Sequence, residues 1–231
     1  MNFNNKSLKY SDPFVLSASN EWISNVKTKM MTVEMGGFVF PVTINEKEYR
    51  SSYVCSPYNA LVTYGQDELF KIKNYPLRLF LSLLMKTLGK LLRLGEINKN
   101  LCINNFLLST NPYPDWKGDG AEEARKKIQS LYPQHAIMYR SLNKHTNEAL
   151  IQQLAKLDFM LVASRQVYIF DSKLCDFKQR NNTQNDRRAL MKGNYKLVSH
   201  EQISHNDYPV IVTLYNKLYR CAPWKAEGRG A

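Results

Sequence analysis

Three polar side chains interrupt an apolar segment of the sequence and are the first candidates for chemistry. Ser164, Arg165 and Gln166 stand inside MLVASRQVYIFD, residues 160–171, whose other members are mostly apolar or aromatic. This composition predicts a buried β-strand, in which unpaired polar groups are costly. Arg165 and Gln166 are therefore candidate substrate-binding residues. The alternative is a strand end or bulge, with Arg165 paired to an acid.

A second polar group accompanies the apolar segment LCINNFLL, residues 101–108. Asn105 lies inside this predicted strand, and Ser-Thr-Asn-Pro, residues 109–112, follows it directly. Open α/β sheets bind ligands at the carboxyl ends of their strands. Asn105, Thr110 and Asn111 are therefore candidate substrate-binding residues as well. The alternative is that these side chains satisfy the backbone of a neighbouring loop.

Motifs of several other kinds of site are missing from the sequence. The four histidines and four cysteines show no C-x-x-C or H-E-x-x-H spacing, so we expect no metal site and no disulfide framework. No Gly-x-Ser-x-Gly motif, P-loop or dinucleotide fingerprint occurs. These absences weaken the hydrolase, kinase, NTPase and Rossmann-type hypotheses.

The sequence predicts a sheet that would position the candidate residues. Residues 30–44 predict a β-hairpin that turns at two glycines, with Pro41 at an edge or bulge, and residues 49–55 predict a third strand. A strand–helix–strand unit is predicted for residues 135–142, 147–157 and 160–171. We therefore expect an α+β or α/β fold with a mixed, partly antiparallel central sheet flanked by helices.

Further helices are predicted at residues 67–72, 76–94, 121–131, 186–192 and 203–219. A brief strand is predicted at residues 195–198. The strongest helix starts at Pro76 and ends before Gly95, with leucines along one face and cations towards its end. Leucine at this spacing favours a helix face buried in the core. The alternative is a basic amphipathic helix lying on a membrane.

Composition is that of a globular protein, because 44% of the 231 residues are hydrophobic. A net charge of +12 favours an anionic partner such as a nucleotide, coenzyme A, RNA or a membrane surface. We expect an N-terminal arm over residues 1–25, one domain over 26–220 and a tail over 221–231. The sequence has neither a signal peptide nor a membrane span, which predicts a cytoplasmic location.

Several segments carry a resemblance to a known superfamily: PQHAIMYRSLN, LAKLDFMLVASRQVYIFD, NDRRALMK and LYNKLY. With the order of predicted elements, they resemble the acetyltransferase-type (GNAT) superfamily over about residues 53–219. Within that superfamily, these segments are most similar in sequence to Fem-type peptidoglycan aminoacyl transferases and uncharacterised bacterial GNAT-like proteins. The resemblance implies transfer of an acetyl or aminoacyl group to a small-molecule or peptide amine. The donor would be acetyl-coenzyme A or aminoacyl-tRNA, and no cofactor would be permanently bound. Nucleic acid would be a partner only if the donor is aminoacyl-tRNA.

The resemblance also implies roles for individual residues. Tyr215 and Tyr219 are the candidate catalytic acids, and Arg187 and Arg188 are the candidate contacts to the coenzyme. The phosphate-binding loop of that superfamily, Gln/Arg-x-x-Gly-x-Gly/Ala before a helix, has no match in residues 1–219. A near match at 225–230 is interpreted as chance. The chain is therefore expected to be a transferase, complete or the first part of a longer enzyme, or an inactive GNAT-like binding domain.

Overall fold

Two units divide the chain, residues 1–162 and residues 163–231. The computed structural model describes residues 2–164, 166–171, 179–193 and 195–220, without the side chains of residues 218–220. The sequence led us to expect a single domain over residues 26–220. Each unit is described separately below.

A mixed sheet of four strands forms the centre of the first unit. The strands are β1 (Lys29–Met35), β2 (Phe38–Asn45), β3 (Asn100–Ile103) and β4 (Ala136–Tyr139), and they lie side by side in that order. β1 pairs with β2 and β2 with β3 in antiparallel fashion, whereas β3 and β4 are parallel. The predicted class, an α+β fold with a mixed, partly antiparallel sheet flanked by helices, is confirmed at this level.

The β1–β2 hairpin forms where the sequence predicts it. Gly36 and Gly37 make the turn with φ of +55° and +76°, a left-handed conformation that costs glycine little. Pro41, expected at an edge or bulge, instead lies in the central strand β2, opposite Thr32 of β1. Because the β2–β3 ladder ends at Val42, the missing N–H of Pro41 removes no bond from that ladder.

The parallel strands β3 and β4 are joined by helix α5 (Ala121–Leu131), which coincides with its predicted range. The strand–helix–strand unit of the fold is therefore β3–α5–β4, and not the unit predicted over residues 135–171. Helix α6 (Lys144–Lys156) does follow β4 as expected. The predicted strand over 160–171 is wrong for its described residues, which are irregular, largely exposed and outside the sheet. Its apolar composition favours a strand, but no described strand lies beside it to form backbone hydrogen bonds.

The N-terminal residues form helices and not the expected arm. Helix α1 (Phe3–Leu16) is capped by Asn2, whose side chain accepts a hydrogen bond from the N–H of Asn5, and helix α2 (Ser19–Trp22) follows. The amide group of Asn4 donates to the carbonyl of Gly37, which ties α1 to the hairpin. The buried face of α1 includes serines, so the sequence shows no clear alternation of apolar and polar residues that would have predicted this helix.

Between the hairpin and β3 the chain is largely helical. The predicted strand at 49–55 is wrong, since these residues form turns. A π-helical turn (Asn59–Thr63), helix α3 (Tyr64–Glu68) and a 3-10 turn (Leu69–Lys71) come next. Helix α4 (Tyr75–Leu94) has its first turn at Pro76 and ends at Gly95 as predicted. The expectation that its leucine face is buried is wrong, because most of that face is exposed.

The core lies in the first unit and has two parts. The larger packs sheet residues against α5 and α6, with Phe40, Val42, Leu101, Ile103, Ile128, Leu150 and Leu154 among its members. The smaller joins α1 to β1 and the following loops through Phe14, Val26, Met30, Val54, Cys55 and Leu107. Cys55 and Cys102 are buried free thiols.

The described part of the second unit contains helix α7 (Asn181–Lys192), a 3-10 turn (His200–Gln202) and helix α8 (Tyr208–Arg220). Both helices overlap their predicted ranges. The short strand predicted at 195–198 is wrong, since these residues are irregular. Among the helices of both units, as far as they are described, none has the length and apolar content needed to cross a bilayer.

Candidate functional site

The carboxyl ends of the two parallel strands bring together one group of polar residues in the first unit. β3 is followed by Asn104 and Asn105, and β4 is followed by Arg140 and Ser141. Because β3 and β4 are parallel neighbours, these four residues lie at the same edge of the sheet. We call them, with Asn111 and Tyr113 of the connecting loop, the carboxyl-edge cluster.

Asn105 is the centre of this cluster and is fully buried. Its Nδ2 donates to the Thr43 hydroxyl and to the carbonyl of Val54, both at 2.9 Å. Its Oδ1 accepts from the N–H of Leu107 at 3.1 Å and from Nη1 of Arg140 at 3.3 Å. The side chain therefore joins β2, the 54–55 loop, its own loop and the end of β4.

Asn111 holds the loop after β3 against the end of β4. Its Oδ1 accepts from the N–H of Phe106 at 3.1 Å, and its own N–H donates to Oγ of Ser141 at 2.9 Å. Asn104 and Ser141, which follow the two strands, have φ of +57° and +65°. Residues other than glycine adopt this conformation at a cost. The backbone at this edge is therefore held in an uncommon shape by side-chain hydrogen bonds.

Tyr113 and Asn104 line the same edge. The Tyr113 hydroxyl donates to the carbonyl of Arg140 at 2.8 Å, and burial raises the pKa of Tyr113 well above its usual range. The phenol consequently stays protonated at neutral pH and can donate a hydrogen bond but cannot act as a base. Asn104 donates through Nδ2 to the carbonyl of Pro112 at 2.8 Å, while its buried Oδ1 has no hydrogen-bond partner among the described residues.

Arg140 supplies the one positive charge of the cluster. Among the described residues only its Nη1 makes hydrogen bonds, to Asn105 and to the carbonyl of Val54, and no described carboxylate lies within salt-bridge distance. A half-buried guanidinium without an acid favours an anionic ligand, because its remaining donors form a planar fork. Sequence reasoning missed this residue, although a cation inside the apolar strand predicted at 135–142 was a signal for it.

The other predicted site residues are distributed over both units. Asn105 and Asn111 belong to the carboxyl-edge cluster, and Thr110 is exposed beside them in the same loop. Arg165 lies outside the described residues. The remaining candidates belong to the second unit: Gln166, Arg187, Arg188 and Tyr215, all exposed, and Tyr219, whose side chain is not described.

Side chains in the second unit show local contacts. Oε1 of Gln166 accepts from the hydroxyl of Tyr168 at 3.5 Å, and Nη1 of Arg188 donates to Oδ1 of Asn185 at 3.5 Å. Arg187 and Arg188 are neighbours in α7, and Tyr215 lies in α8. The two arginines thus place two adjacent cations on one short helix.

A cavity of about 500 Å³ lies elsewhere in the first unit, between the end of α1, α2 and the start of β1. Its polar lining includes Lys27, Lys29 and Glu48. It contains none of the cluster residues. Because it is partly open at the surface and lacks these residues, we place the candidate site at the carboxyl edge and not in this cavity.

Comparisons with known proteins leave the geometry as the main guide to function. No family model matches the chain, and neither a curated protein nor a solved structure matches it. Among the described residues no group of histidine, cysteine, aspartate and glutamate side chains has the arrangement of a metal site.

Proposed function

We propose that the chain is an acyltransferase domain that transfers an acetyl or aminoacyl group to an amine, with Arg140 contacting an anionic part of the donor. The observation that carries this proposal is the half-buried guanidinium with no carboxylate of a described residue within salt-bridge distance. Acetyl-coenzyme A and aminoacyl-tRNA both carry phosphates, which pair well with arginine. The cytoplasm, where both donors occur, is the proposed location.

The GNAT-like assignment of the sheet is part of the same proposal. It is supported by the order of elements, since a hairpin, helices, a third strand and a helix-connected parallel strand follow one another. The carboxyl-edge cluster lies where open α/β sheets bind ligands. A polar, strained edge next to a parallel pair is therefore a suitable donor site.

In the proposed reaction the amine nitrogen attacks the carbonyl carbon of the donor. The bond from that carbon to the thiol sulfur or ribose oxygen breaks, the leaving atom gains a proton, and the amine loses one. Tyr215 and Tyr219 of the second unit remain the acids that the resemblance implies, and their role is proposed separately from the donor contact of Arg140 in the first unit. Tyr113 can only donate a hydrogen bond, because burial keeps it protonated. Arg140 would orient the donor without taking part in the proton transfers.

The second candidate function is a catalytically inactive GNAT-like domain that binds a ligand. The lack of a phosphate-binding loop in residues 1–219 favours it. Such a domain would bind a donor or a related anion and release no product. Binding and turnover must therefore be measured separately.

Thermal unfolding with acetyl-coenzyme A tests the proposal. A ligand at a hundredfold excess over its dissociation constant should raise the free energy of unfolding by about 2.7 kcal/mol. We expect Arg140→Lys to weaken binding about tenfold or more, because lysine has no planar fork. Arg50→Lys, which changes an exposed arginine of the same unit, should leave binding unchanged.

Release of the coenzyme thiol in the presence of amines then separates the two functions. Release that depends on both substrates supports the transferase, whereas binding without release supports the inactive domain. If neither millimolar acetyl-coenzyme A nor aminoacyl-tRNA binds, the proposal fails.

A further inference from the structure

Helix α4 presents a wide apolar surface to solvent. Eight of its side chains are between 38% and 82% exposed: Leu77, Leu79, Phe80, Leu83, Leu84, Leu88, Leu91 and Leu94. At 100° per residue these positions cover more than a third of the helix circumference. Exposed apolar areas of this extent in a soluble domain indicate a surface that meets a partner or a membrane. We call these eight residues the α4 apolar face.

The helix is fixed to its own unit through a different face. A Cβ added at Gly89 would lie 3.0 Å from the Tyr58 hydroxyl and 3.2 Å from Cγ1 of Val62, so α4 approaches residues 58–62 closely there. The Arg93 guanidinium lies over the rings of Tyr49 and Tyr58, with distances of 5.0 Å and 4.7 Å to the ring centroids. Because these contacts anchor α4, the α4 apolar face is turned outward by the packing of the unit.

The charge on this helix has one sign. Residues 69–95 contain six cations and no aspartate or glutamate. Lys86 and Lys90 are exposed one turn apart, and neither forms an ion pair with a described residue. Helical projection places them beside Leu79 and Leu83. A surface that covers the α4 apolar face must therefore be both apolar and anionic.

Two aromatic residues extend the exposed surface at the start of the helix. Phe70, in the turn before α4, is 58% exposed, and Tyr75, the first residue of α4, is 63% exposed. Aromatic rings and cations beside an apolar helix face are typical of helices that lie in the headgroup region of a bilayer. The helix is about 30 Å long, and its cations at 86, 90 and 93 suit a position parallel to the surface.

A second copy of the chain fits this face less well. Two apposed α4 helices would bring Lys86 and Lys90 of both copies towards one interface, and the helix offers no acid to pair with them. Like charges at an interface disfavour association. An anionic bilayer supplies both the apolar layer and the opposite charge. We propose that α4 binds the surface of an anionic lipid bilayer, with the α4 apolar face inserted and Lys86 and Lys90 at the headgroups.

Sedimentation of the full chain with vesicles tests this proposal. We expect binding to vesicles that contain phosphatidylglycerol and little binding to pure phosphatidylcholine. Leu84→Ser combined with Leu88→Ser should lower the partition coefficient about tenfold or more. Lys86→Gln and Lys90→Gln should each lower it about fivefold, and added salt should weaken binding by wild type.

Matched controls come from helix α5 of the same unit. Leu131→Ser replaces a leucine that is 62% exposed, and Lys127→Gln replaces an exposed lysine. Neither change should alter vesicle binding. Circular dichroism and the melting temperature of each variant establish that it is folded.

Four results would overturn the proposal. One is absence of binding to anionic vesicles, and another is equal binding by the α4 and α5 variants. A third is a dimer in solution that the leucine substitutions dissociate, which would assign the α4 apolar face to a second copy. The fourth is a large drop in melting temperature for the Leu84 and Leu88 variant, which would mean that the chain itself covers this face.

Discussion

At the scale of single residues, Asn105 is expected to make a large contribution to stability. Replacing it with alanine removes the donor to the Thr43 hydroxyl, the acceptor of the Leu107 N–H and one of the two donors to the Val54 carbonyl, all in a buried place. Groups that are left buried without partners cost more than an average hydrogen bond contributes. We expect Asn105→Ala to lower the free energy of unfolding by about 3 kcal/mol or more. Urea unfolding followed by circular dichroism measures this value.

Asn25→Ala is the matched control for that substitution, since Asn25 is exposed in the same unit. Its effect should stay within about 0.5 kcal/mol. If both variants unfold at the same urea concentration, Asn105 does not hold the carboxyl-edge cluster together.

The sequence identified Asn105 and Asn111 as unusual residues but could not assign their partners. Asn105 lies inside a predicted apolar strand and Asn111 lies in the turn directly after it, and this much is visible in the residues alone. Their hydrogen bonds reach residues 35 and 62 positions away, which no local pattern encodes. Arg140 was missed for a similar reason, because which of the described acids lie near it depends on the packing of the whole first unit.

At the scale of elements, the glycine turn of the β1–β2 hairpin gives a paired test. Both glycines have positive φ, but a Cβ at Gly36 would lie 2.8 Å from the carbonyl of Asp119, whereas one at Gly37 would meet nothing within 4 Å. We expect Gly37→Ala to lower the free energy of unfolding by about 1 kcal/mol through backbone strain alone. Gly36→Ala should cost clearly more, because the neighbouring backbone must also move. Thermal and urea unfolding of the two variants would show the difference, and equal losses would argue against the tight docking of the turn.

Elements with strong local signals were the ones that sequence analysis located well. The glycine pair indicated the turn of the hairpin, and the acids of the first turn indicated the start of α5. Pro76 and Gly95 indicated the two ends of α4. The strands expected at 49–55 and 195–198, and the described part of the one expected at 160–171, are absent from the structure because apolar composition does not specify a partner strand. The exposure of α4 could not be predicted, since a helical period shows that a helix has an apolar face but not what covers it.

At the scale of the whole molecule, stability should fall at alkaline pH. Burial raises the pKa of Cys102 to about 12 and raises the pKa values of Tyr113 and Tyr139 above the usual value. These groups ionise more readily in the unfolded chain, near pH 9 to 10, so deprotonation favours unfolding. Their contribution is complete below about pH 9 and is lost as the pH rises towards 12. Urea unfolding at a series of pH values from 7 to 11 would follow this loss.

Tyr139→Phe removes one of these groups and should make the alkaline decline less steep. Tyr168→Phe is the control, because Tyr168 is 86% exposed. An unchanged slope for Tyr139→Phe would mean that this phenol ionises in the folded protein as readily as in the unfolded chain.

The hydrogen bonds of Asn105 also constrain the order in which the protein assembles. During synthesis the chain emerges from the amino end, so Thr43 and Val54 leave the ribosome long before Arg140, which lies 86 residues after Val54. Oδ1 of Asn105 therefore lacks its hydrogen bond from Arg140 until the end of β4 has been made. We expect closure of this edge to be a late folding step. In refolding experiments, Asn105→Ala should accelerate unfolding far more than it slows folding.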